Sequence, residues 1–174
     1  MSDADVAGLS DINRGPLRFL PRPVRDPARP LLSIPVAWAT AFFPSIVLAW
    51  IISKFAPGAA TPDFGNLPPA LVIFAVVIFA PVVETLIMGT VLLLLLRVVT
   101  PTIAVLISAV GWGVAHSLQV PVWGLTIWWP FLVLSTLFVA YRERSLLAAF
   151  ALPAIVHAFQ NLGPALLIAT GQTS

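Results

Sequence analysis

Five apolar runs, each long enough to cross a bilayer, leave this chain little choice of fold. They occupy residues 31–52, 69–96, 101–119, 123–141 and 146–169, and about 20 helical residues cross a hydrocarbon core. No water reaches backbone N–H and C=O groups in that core, so each run must satisfy its own as a helix. Only 9% of the 174 residues are charged, against about 25% in soluble domains, which excludes a water-soluble globule. The expected fold is an all-α polytopic membrane protein with five transmembrane helices.

The breaks between the runs carry the usual punctuation. Residues 54–68 include Lys54, Pro57, Gly58, Pro62, Asp63, Gly65, Asn66 and Pro68 and read as a loop. Arg97 closes the second run, Pro101 opens the third at a favourable first-turn position, and Arg142-Glu143-Arg144-Ser145 parts the fourth from the fifth. Pro35 and Pro44 predict a bend in the first span. Trp123, Trp128 and Trp129 fall where an interfacial aromatic belt is expected.

Residues 1–30 form a polar stretch, with Asp3, Asp5 and Asp11 followed by Arg14, Arg18, Arg22, Arg25 and Arg29 among five prolines. That proline density forbids a long helix and predicts an extended tail along the membrane surface. The domain plan is then a 1–30 tail, a first span at 31–53 retained as an anchor, and a four-helix core at 69–170. With the N-terminus in the cytoplasm, the five tail arginines, Arg97, Arg142 and Arg144 fall inside and Lys54 alone falls outside. This asymmetry satisfies the positive-inside rule and predicts an N-in, C-out protein of a bacterial inner membrane.

Membrane lipids are the first expected partners. A net charge of +2 is no nucleic-acid footprint. The absence of cysteine removes disulfides, a thiol nucleophile and thiolate metal sites.

What remains is a sparse polar set. Glu84 is the only charge between Pro68 and Leu96, and an intramembrane carboxylate is a functional-site hypothesis by default. His116, His157 and Asn161 are its candidate partners. Glu84 lies thirteen residues before Arg97, His116 fifteen after Pro101, and His157 twelve after Ser145. At 1.5 Å per residue these are depths of about 20, 22 and 18 Å from the cytoplasmic side, one layer of the bilayer. His157 and Asn161 are four apart and share a helix face. Pro81 and Pro153 stand one turn before Glu84 and His157, and each leaves a carbonyl that needs another donor, as happens where helices line a cavity. Ser108, Gly111, Gly113 and Ala115 let the third helix approach its neighbours closely.

Two chemistries are open to this set. Glu84 with one histidine can take a proton from water, while the other histidine and Asn161 donate to a developing oxyanion. Alternatively Glu84, His116 and His157 can ligate a divalent metal, two histidines and a carboxylate being a common catalytic zinc set. The first reading needs no cofactor.

At these residues the chain resembles the CAAX prenyl protease and bacteriocin-processing (CPBP, or Abi) family of intramembrane endopeptidases. The family's second motif, Phe-x-x-x-His, is similar to Trp112-Gly113-Val114-Ala115-His116. Its third, His-x-x-x-Asn, is intact as His157-Ala158-Phe159-Gln160-Asn161. Its first, Glu-Glu-x-x-x-Arg, keeps Glu84 but has Thr85 and Gly89 at the second Glu and the Arg. The resemblance covers roughly residues 69–170. It implies an intramembrane endopeptidase in which Glu84 and His116 activate water and His157 with Asn161 form the oxyanion site, acting on a membrane-protein or peptide substrate. The eroded first motif implies a variant polar network, or an inactive member serving as a structural or assembly subunit of a larger membrane complex. A transporter or proton relay is the weaker third reading, since one carboxylate and no inverted repeat make a thin relay.

Overall fold

The computed structural model describes residues 11–56 and 67–170. Asp3 and Asp5 of the tail, and most of the loop read between Lys54 and Pro68, lie outside them. Among the described residues there is no strand, and five helices are long and apolar enough to span a membrane. They are α1 (Pro30–Phe55), α2 (Pro69–Leu95), α3 (Pro101–Gln119), α4 (Gly124–Arg142) and α5 (Leu146–Ala169). Each of the first three begins with proline, whose fixed φ suits the first turn and whose missing N–H would have been unpaired there anyway. α5 begins at Ser145, whose hydroxyl accepts from the Ala148 N–H at 3.2 Å.

α4 is the axis of the bundle. Every residue from Pro130 to Tyr141 is buried, because α1, α3 and α5 all pack on it. Against α3 the contact is backbone to backbone. A Cβ placed on Gly124 would stand 1.8 Å from the Gly113 carbonyl oxygen and 2.4 Å from Ser117 Oγ. Small residues allow this approach, and polar groups then tie the seam. Ser117 Oγ accepts from the Gly124 N–H at 3.1 Å, and the Ser108 and Ser135 hydroxyls pair at 2.9 Å. In the turn between the two helices Val122 takes a φ of 65°, a conformation that a β-branched residue adopts only under constraint.

The prolines inside α1 do more than bend it. Pro44 has no N–H for the carbonyl of Thr40, four residues earlier. That oxygen accepts instead from Trp129 Nε1 on α4 at 2.8 Å. Trp129 therefore faces α1 rather than serving only as an interfacial anchor. Trp129→Phe is expected to cost about 1–2 kcal/mol by leaving the carbonyl unpaired, read as a fall of several degrees in the thermal midpoint in detergent.

Among the described residues the segment before α1 has no long helix, yet it is not a free tail. A 3₁₀ turn at Pro16–Phe19 and one α-turn at Arg22–Arg25 bury Leu17, Leu20 and Val24, and Ile12 is buried before them. These four apolar side chains, scattered among the arginines, give the segment a face to dock. Asp11 Oδ2 accepts from the Thr102 N–H at 2.7 Å, supplying from afar the cap that Thr100 does not make for α3. Ser33 Oγ donates to the Pro23 carbonyl at 2.6 Å and lies 2.9 Å from the Tyr141 hydroxyl, closing the same end of α1 onto α4.

Candidate functional site

Glu84 sits on α2 where that helix is irregular. Residues Phe74–Phe79 form a π-turn, continued by the Ala80 N–H donating to the Ala75 carbonyl, five residues back. The next nitrogen belongs to Pro81, which has no hydrogen to give. The Val76 carbonyl, its partner in that register, is thus left without a donor from its own helix. It accepts from Asn161 Nδ2 on α5 at 3.0 Å. Three residues past Pro81 the Glu84 side chain enters the bundle, 24% exposed.

Two histidines meet it. Glu84 Oε2 lies 3.9 Å from His116 Nε2 on α3 and 3.8 Å from His157 Nε2 on α5. Both rings are buried. The equal depths counted along three helices therefore correspond to real neighbours. One oxygen faces both ring nitrogens, and neither separation is a direct hydrogen bond. The wider gap is one that a single water hydrogen-bonded to both atoms would bridge; Oε2 is closed to solvent in this arrangement, so seating that water requires the helices to part slightly.

The histidine on α3 has a fixed role. His116 Nδ1 lies 2.8 Å from the Trp112 carbonyl, which can only accept, so Nδ1 carries the hydrogen. In the neutral ring Nε2 then presents a lone pair toward Glu84. Two acceptors facing each other need a hydrogen between them, carried by the Glu84 carboxyl, by the ring or by a water. His157 differs, since its Nδ1 is buried without a hydrogen-bond partner among the described residues, as is Glu84 Oε2.

An aromatic wall holds the imidazoles. Trp112 and Phe131 stack with centroids 4.4 Å apart. Phe131 lies 5.7 Å from the His116 ring and meets His157 edge-on at 5.4 Å. Trp123, next to the constrained Val122, closes the other side of His116 at 5.1 Å. Such rings limit both imidazoles to one orientation and keep bulk water away. Sequence reading passed over Phe131 because nothing distinguishes it from the apolar residues around it on α4.

The site's second layer is apolar where a Glu-and-Arg pair would have been polar. A Cβ on Gly89 would stand 2.2 Å from the Phe150 ring and 2.5 Å from that of Phe138. These two rings pack edge to face at 5.0 Å. Thr85 is buried and its hydroxyl finds no partner among the described residues.

Glu84, His116 and His157 are also the donors a divalent ion would take. Tetrahedral zinc with bonds of about 2.0–2.1 Å spaces its ligands roughly 3.4 Å apart, and the two Oε2-to-Nε2 separations are wider. Among the described residues no group of three His, Cys, Asp or Glu side chains is arranged to hold a metal ion.

A family model described as Rce1-like, type II CAAX prenyl endopeptidase, matches residues 66–163, which include every residue of this site. No curated protein and no solved structure matches the chain.

Proposed function

The chain belongs to the Rce1-like family of type II CAAX prenyl endopeptidases, and from that premise we propose that it hydrolyses a peptide bond presented within or beside the bilayer. One observation supports the mechanism above the others: a single carboxylate oxygen faces the Nε2 atoms of two histidines from two other helices. A water between Glu84 and His116 gives one hydrogen to Oε2 and directs the other at the His116 lone pair. As its oxygen attacks the peptide carbonyl carbon, Glu84 takes the proton. His157, with its hydrogen on Nε2, donates to the oxyanion that forms. Collapse breaks the C–N bond, and Glu84 returns the proton to the leaving amine. The products are a carboxylic acid and an amine, and the carboxylate is regenerated.

The family's description supplies the substrates to try, a farnesylated CAAX peptide beside the same peptide unmodified. The test is hydrolysis of either by the protein purified in mild detergent, with and without a chelator. Turnover that survives chelation supports the water-based mechanism, and turnover lost to EDTA and restored by zinc overturns it.

A second reading, a structural or assembly subunit of a larger membrane complex, draws on Thr85 and Gly89. An aromatic pair fills the space beside Gly89, so the polar support of a catalytic carboxylate is reduced here. Under that reading the protein emerges from native membranes in a large complex of fixed stoichiometry whose assembly survives Glu84→Gln.

A further inference from the structure

The Asn161 amide is bonded to a backbone carbonyl in another span rather than directed only at the carboxylate and imidazoles. We propose that Asn161 is a positioning residue: it holds the Val76 carbonyl that Pro81 leaves without a donor, and so fixes the π-turn that sets the rotation of Glu84.

The bonding of that turn leaves few other ways to satisfy Val76. The Ala80 N–H is committed to Ala75, and Pro81 cannot donate. Pro81 leaves one carbonyl free in either register, that of Val77 in a regular α-helix and that of Val76 in the π-turn, so a donor from another helix placed on Val76 favours the π-turn. Asn161 supplies it at 3.0 Å across 85 positions of sequence. A π-turn is equivalent to one extra residue in an α-helix, and one residue is about 100° of rotation. Reversion to regular α-helix would turn Glu84 by that amount relative to residues 69–73, which pack on α5. Oε2 would then no longer face both histidines. His157 lies one turn before Asn161, so one helix carries both a group facing Glu84 and the pin that keeps Glu84 in place.

The test is a cycle of Asn161→Ala, Pro81→Ala and the double variant. Asn161→Ala is expected to lower the thermal midpoint by roughly 3–6 °C, to speed amide exchange in residues 74–80 but not in α3, and to lower kcat at least tenfold with KM little changed. Pro81→Ala restores an N–H that reaches Val76. In the Asn161→Ala background it is therefore expected to recover most of the midpoint, the protection and kcat. If Asn161→Ala alone fails to accumulate, the double variant must accumulate. A double variant no better than Asn161→Ala overturns the proposal and leaves Asn161 as a direct contact to substrate. Only the kinetic readout rests on the hydrolytic reading. If the wild type cleaves nothing, the thermal and exchange measurements still decide the role of Asn161.

Discussion

Glu84→Gln is expected to reduce turnover about a thousandfold while leaving the thermal midpoint unchanged or higher. The amide keeps the shape of the carboxyl and can still hydrogen-bond water, but it cannot take a proton, and a positioned general base contributes roughly 10²–10⁴ in rate. Stability should move the other way. Glu84 Oε2 is buried without a hydrogen-bond partner among the described residues, and an ionisable group at bilayer depth is costly to keep. Removing it relieves the fold and disables the chemistry. Parallel measurement of hydrolysis and thermal unfolding separates the two effects. A variant that keeps wild-type turnover would show that Glu84 is not the base, whatever its neighbours.

Gly124→Ala is expected to prevent accumulation of folded protein, or to destabilise it by more than about 3 kcal/mol. The added methyl would meet the Gly113 carbonyl oxygen at 1.8 Å. That atom is backbone, so no side-chain rotation can relieve the overlap, and α3 and α4 must part. Parting them breaks the Ser108–Ser135 pair and draws His116 away from Phe131. Gly111→Ala is the control. It lies on α3, the helix that Gly124 presses against, a Cβ there meets nothing within 4 Å, and alanine is the better helix former by about 1 kcal/mol. Thermal unfolding of the two variants side by side should show opposite signs. Equal behaviour would mean that the α3–α4 seam is looser than the structure has it.

The spans were legible because bilayer thickness converts directly into run length, and the structure places α3 and α5 on the very residues read from the sequence. The neighbourhood of Glu84, His116 and His157 was legible for a related reason. Counting residues from charged helix ends gives depth, and in a five-helix bundle depth removes most of the freedom that a sequence leaves open. What one dimension does not hold is rotation and pairing. Pro81 announced an unpaired carbonyl, but the π-turn moved that carbonyl to Val76 and assigned it to Asn161. Trp129 read as an anchor because its composition and place suit one, while its partner Thr40 lies 89 residues away. Ile12, Leu17, Leu20 and Val24 were hidden by the arginines and prolines between them. No apolar period marks them, since neither a helix nor a strand arranges them.

The bond from Trp129 to the Thr40 carbonyl bears on how the chain is made as well as on how it rests. Synthesis runs from α1 toward α5, so α1 enters the membrane with that carbonyl free, and its donor is not yet translated. Until α4 arrives, the first span has a polar defect in lipid that its helical backbone does not cover. Docking of α4 therefore completes α1 as well as packing against it.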